Sequence, residues 1–244
     1  MTLSPRIRRR LTGLDDEQLN YDPAKLDLTD PPPGWHVDDR RQVLVGEAPG
    51  EPVTDGSFAV ARRLISGYKF ADPSLVRAFY DPGLPLAGRR MLLELRTLKL
   101  LRIYVGVRVG DVYEEERQMD GRPLHVFGWY YRTLRGHVEK GQMNWEVQKW
   151  LDTGEVAFHV RSVSRPAKDR NLIIRLGFRL LRGHERTLFL NSTSRRMREF
   201  TELGLDPNGR AKRIRQASPE LTARQLSSSD DSHAELADEV EHTI

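Results

Sequence analysis

Residues 127–166 read FGWYYRTLRGHVEKGQMNWEVQKWLDTGEVAFHVRSVSRP, and their alternation decides the fold. Met143, Trp145 and Val147 alternate with Asn144, Glu146 and Gln148. A period of two is that of a half-buried strand. Leu151-Asp-Thr-Gly154 supplies turn residues. Val156, Phe158 and Val160 then alternate with Ala157, His159 and Arg161, so the pair reads as a β-hairpin. Phe127 to Arg132 reads as a third strand, aromatic on both sides, with both faces covered or with a bulge at Gly128. Between it and the hairpin lies the polar, glycine-bearing loop Thr133 to Gly141. In an extended loop, His137 and Glu139 point the same way. Pro166 ends the run by holding Arg165 out of helical geometry.

The rest of the chain extends this antiparallel pattern. Leu101, Ile103, Val105, Val107 and Val109 alternate with Arg102, Tyr104 and Arg108, and a strand continues through Val112 to Arg117. Met91 to Leu98 is a further strand, and Val37 to Glu47 gives the first one. After the Ala48–Pro52 break, Phe58, Ala61, Leu64, Ile65 and Tyr68 recur at helical spacing. Asp72-Pro73 opens a second short helix lined by Leu75, Val76 and Phe79. From Asn171 to Phe200 the period changes to that of one long helix. On its wheel Arg175, Arg179, Arg182 and Arg186 form a stripe, opposite Ile173, Leu176, Leu180, His184 and Leu188. The expected architecture is α+β: a curved antiparallel sheet of six to seven strands gripping a long C-terminal helix, with two short helices after the first strand.

The segment TLRGHVEKGQ, a strand, a DTG turn and SVSRPA resemble the DUF1990 family, a domain of unknown function. Its pattern G-[WF]-x-Y-x-TL-x-GH-x-E-x-GE is met at Gly128, Trp129, Tyr131, Thr133, Leu134, Gly136, His137, Glu139 and Gly141. The likeness runs from about Leu92 to Met197, and the family's last glutamate is Gln142 here. The resemblance implies a shared fold and loop and carries over no catalytic residue. The order and length of elements also resemble the START/Bet v 1 helix-grip (SRPBCC) superfamily. That likeness implies a cavity between sheet and long helix, suited to apolar or lipid-like ligands.

Composition narrows the function classes. The 244 residues suffice for one sizeable domain with tails. The expected division is a disordered basic arm at 1–19, one domain at 20–200 with a proline-rich lead-in over 20–50, and a disordered tail at 201–244. The absence of cysteine removes disulfides, thiolate ligands and cysteine nucleophiles, and fits a cytoplasmic protein. No apolar run approaches the roughly 18 residues of a membrane span. The net charge of +4, from 39 basic and 35 acidic residues, is no strong nucleic-acid signal.

The ligand-binding candidates are Arg132, Thr133, His137, Glu139, Arg165 and His184. His184 is placed on the buried helix face, as a core histidine or a polar handle in the cavity. Arg175, Arg179, Arg182 and Arg186 are candidates for an anionic partner, or a solvated helix face. His137 and Glu139 alone are too few for zinc. No metal, cofactor or catalytic residue is assigned, and no phosphate loop, dinucleotide fingerprint, hydrolase elbow or zincin motif is present. The leading expectation is a protein that binds a small apolar or amphipathic molecule. The alternatives are an enzyme using His137 and Glu139 as an acid–base pair, and an interaction module acting through the basic helix face.

Overall fold

Seven strands form a single antiparallel sheet in the order β1-β7-β6-β5-β4-β3-β2. The computed structural model describes residues 3–97, 101–167 and 172–204, and side chains at 97, 101 and 172–182 lie outside that description. The strands are β1 (His36–Val43), β2 (Val76–Phe79), β3 (Arg90–Thr97), β4 (Leu101–Met119), β5 (Arg122–Thr133), β6 (Glu139–Trp150) and β7 (Val156–Pro166). The helices are α1 (Pro5–Thr12), α2 (Ser57–Ser66) and α3 (Leu172–Leu203). From β2 to β7 each strand pairs with its successor, and β1 closes the far edge against β7.

The alternation read from the sequence sorts the side chains. Trp129, Tyr131, Trp145 and Phe158 all face one side of the sheet and join α2 and α3 in the main core. Trp145 stacks on Phe158 with ring planes 11° apart and meets Phe189 of α3 edge-on, with ring centroids 6.3 Å apart. Leu190, Met197 and Phe200 of α3 complete that core. The sheet is thus a curved layer carrying the long C-terminal helix on one face. A bulge between Val109 and Val112 interrupts the long strand β4 and adds local bend. It lies there and not at Gly128, which pairs with Tyr113 and takes that ring against its missing side chain.

Three expectations fail, each for a local reason. Residues 5–12 are a helix, not an unstructured arm. Ser4 caps α1, Pro5 starts it, and Ile7 and Leu14 pack on Leu92 and Leu134 on the sheet's other face. The predicted second helix after Asp72 is a single turn followed by β2. Asp72 accepts the backbone N–H groups of Leu75 and Val76, and Val76–Phe79 then alternates buried and exposed along the edge of β3. On α3 the wheel is turned. His184 and Leu188 face solvent, while Arg186 points to the sheet. Phe189, Leu190, Met197 and Phe200 recur at helical spacing and set which side of the described part of the helix is buried. The tail expected at 201–244 lies outside the described residues beyond Gly204.

Candidate functional site

The loop between β5 and β6 is a self-braced corner. Gly136 takes the left-handed conformation that lets the chain reverse. The imidazole Nδ1 of His137 accepts the backbone N–H of Glu139 at 2.9 Å. Thr133 Oγ1 accepts the backbone N–H of Gly141 at 2.9 Å and donates to Asn20 Oδ1 at 2.7 Å. Asn20 in turn donates to the carbonyl of Glu139 at 2.8 Å, so the lead-in segment fastens the corner from outside. At Gly141 any Cβ would meet Val163 O at 2.1 Å, so β6 and β7 approach as only glycine allows.

This corner forms one end of a cavity between the sheet, the segment after α2, and α3. Its volume is about 130 Å³. The walls are apolar, from Leu75, Val76, Leu93, Leu95, Met143 and Phe189. Tyr68, Tyr131, His137, Glu139, Arg186, Arg96 and Glu185 bring polar groups to it.

Arg186 reaches from α3 into a polar cluster beside the cavity. It pairs with Asp38 of β1, donates to Ser164 Oγ at 2.9 Å and Ser162 Oγ at 2.5 Å, and lies 3.3 Å from Glu139 Oε1. Neither Arg186 nor Asp38 exposes more than 13% of its side chain. Burial alone would raise the Asp38 pKa, but the hydrogen bonds and charge of Arg186 and the hydroxyl of Ser162 hold it below the ordinary value.

Tyr68 follows α2 in the left-handed conformation, φ 56°, as the N–H of Lys69 bonds back to the carbonyl of Leu64. Glycine usually fills that helix-ending position. The side chain is 1% exposed. Burial first, and then the neighbouring Tyr131 phenol, push its ionisation well above that of an ordinary phenol. Burial likewise raises Tyr131, whose hydroxyl donates to Met143 Sδ at 3.2 Å. Among the described residues the Tyr68 hydroxyl faces the Tyr131 phenol without forming a well-aligned hydrogen bond.

The sequence candidates therefore divide. His137 and Glu139 share the cavity, and Thr133 stands behind them as a brace. Arg132 lies on the sheet's other face, bonded to Gln142 Oε1 at 2.9 Å and stacked on Tyr130. Arg165 is exposed and stacks on Trp35. His184 is exposed, so it is no handle inside the cavity. Arg186 joins the cavity and not an outer stripe, and the side chains of Arg175, Arg179 and Arg182 lie outside the described residues. Sequence reasoning passed over Asp38, Ser162 and Ser164, and took Tyr68 and Tyr131 only as packing residues. The phenols carried a usable signal, since Tyr68 and Tyr131 both fall on the apolar side of their elements. Asp38 carried none.

Elsewhere, ligand atoms of Glu51, Glu116 and His125 lie within 4.8 Å of one another, and both glutamates are exposed. His125 Nε2 lies 3.4 Å from Glu114 Oε1 and Nδ1 lies 3.8 Å from Glu51 Oε2. Among the described residues no helix is long and apolar enough to cross a membrane.

The model of a family described as a domain of unknown function, DUF1990, matches residues 20–195. No curated protein matches the sequence. Among solved structures, Ara h 8.0201 is similar at 9% identity and a TM-score of 0.36, over 69% of this chain and 99% of that one. A hypothetical protein from Helicobacter pylori is similar at 11% identity and 0.38, over 75% and 96%. Human STARD10 is similar at 11% identity and 0.35, over 92% and 89%.

Proposed function

The chain belongs to the DUF1990 family, and we propose that it binds a small, mainly apolar molecule in the cavity between its sheet and α3. The observation that carries this reading is the cavity itself, apolar on its long walls and polar at the Tyr68, His137, Glu139 and Arg186 positions. Size constrains the ligand. An apolar cavity of about 150 Å³ accepts benzene, so about 130 Å³ suits a molecule of one ring or a short branched chain.

The enzyme alternative has less support. The ring nitrogen of His137 that faces Glu139 bonds its backbone, and the Glu139 carboxylate faces Arg186. Native mass spectrometry of the full chain, purified from its own cells, tests the binding reading. A retained organic molecule of a few hundred daltons at most is the expected result. A mass equal to the bare chain in repeated preparations counts against it.

A further inference from the structure

Two phenols distinguish this cavity from a plain greasy pocket. Tyr68 lines it, almost wholly buried; among the described residues its hydroxyl faces the Tyr131 phenol but makes no well-formed hydrogen bond. A buried hydroxyl left unsatisfied is costly. The residue also holds the left-handed backbone, a conformation unfavourable for a bulky side chain. The fold bears both costs to hold this ring where it is. Tyr131 lines the same cavity and gives its proton to a thioether, a weak acceptor that a better one displaces. The two arginines at the cavity are already engaged: Arg186 faces both Asp38 and Glu139, and Arg96 lies 2.9 Å from Glu94 Oε1. The hydroxyl donors that face a ligand there are the two phenols, both uncharged.

Resting on the binding reading above, we propose that Tyr68 and Tyr131 form a two-donor seat for a neutral oxygen acceptor. The ligand class is then a one-ring or similarly small molecule bearing a ketone, aldehyde or ester oxygen. The carbonyl accepts from Tyr68, and from Tyr131 in place of Met143, while the hydrocarbon part fills the apolar walls. The seat selects by unpaired donors. A ligand of the same shape without the oxygen leaves the Tyr68 hydroxyl as it is now.

The test uses cyclohexanone and methylenecyclohexane, which share shape and differ by oxygen against a methylene group. Both are titrated by calorimetry into the full chain and into Tyr68→Phe. Because the hydrocarbon leaves water far more readily, the comparison is between proteins for each probe, not between probes. Tyr68→Phe should weaken cyclohexanone about ten-fold, the worth of one hydrogen bond to a buried donor. Methylenecyclohexane should bind both proteins alike. The variant should melt at or above the wild-type temperature, since it loses no well-formed internal hydrogen bond. Equal effects on the two probes, or none, overturn the seat while leaving the cavity as a binding site. A variant that melts far below wild type, or fails to fold, shows that the hydroxyl has a structural partner and overturns the seat too. Tighter binding of cyclohexanecarboxylate than of cyclohexanone overturns the neutral-acceptor assignment. Binding of none of the probes overturns both the seat and the cavity reading.

Discussion

Arg186 of the last helix donates to Asp38 of the first strand, joining the two ends of the described domain across the open side of the sheet. The pair is nearly buried, and Ser162 and Ser164 satisfy other guanidinium protons. A buried charge that loses its partner is expensive. Arg186→Met should therefore cost roughly 3–5 kcal/mol in urea unfolding. Adding Asp38→Asn should restore much of that loss. Equal stability of the single and double variants would show that the carboxylate has no need of the cation.

The same pair sets an acid limit. The Asp38 pKa is depressed in the folded chain. Its contribution is thus fully present above the unfolded carboxylate value of about 3.9 and fades as pH falls through the folded value. Wild-type stability should drop below pH 4 more steeply than that of the Asp38→Asn, Arg186→Met double variant. Parallel acid profiles would contradict this.

A second buried pair holds the entrance of α2. Lys149 Nζ lies 2.8 Å from Glu47 Oε2 and donates to the carbonyl of Glu51 at 2.7 Å, and Lys149 is 0% exposed. Glu47 also accepts the backbone N–H groups of Val53 and Phe58, so it caps the helix from a distance. Lys149→Met should destabilise by about 3–5 kcal/mol and speed amide exchange at Phe58 and Val60. Unchanged exchange there would separate the ion pair from the helix.

On the outer face His159 bridges Asp39, at 2.8 Å, and Glu146, at 3.4 Å. Burial works against its charge, but hydrogen bonds to Glu146 and Asp39 prevail and raise its pKa. Burial alone would raise Glu146, yet hydrogen bonds from His159, Tyr113 and Gln148 hold it at about 2. A raised histidine stabilises fully below its unfolded value of about 6.5, and that contribution is lost as pH climbs through the folded value. NMR titration should place His159 above 6.5, and Glu146→Gln should bring it down. A midpoint unmoved by that substitution would contradict the bridge.

Helix α1 is a structural part and not a loose arm. Ile7 is buried on the outer face with Leu92 and Leu134. Ile7→Ala should cost roughly 2 kcal/mol, read from urea denaturation. A cost near zero would mean the helix is dispensable.

The sheet was legible because alternation is a local signal repeated along each strand. Met143, Trp145 and Val147 needed only a face to pack on, and the hairpin turn at Gly154 confirmed their register. Continuing the row by two would have put Lys149 inside as well, so the buried pair was half visible. Its partner Glu47 lies 102 positions away, and no local pattern names such a partner. The corner at His137 and Glu139 was legible as a loop, but the Arg186 contact reversed the reading of α3. The wheel was drawn from the amino-end half of the helix, whereas Phe189, Met197 and Phe200 supply the contacts of the described half. Val76–Phe79 looked helical because Asp72-Pro73 is a sound helix start. The unpaired edge of β3 captured it instead, and a strand needs a neighbour that no single segment announces.

The most direct test of the central claim is fluorine NMR of fluorobenzene with the full chain and with Leu95→Trp, whose new indole would fill the cavity. Line broadening that saturates with wild type and disappears with the variant, while the variant keeps its dispersed amide spectrum, is the predicted result. Equal broadening by both proteins, or none by either, would contradict a ligand site between the sheet and the last helix.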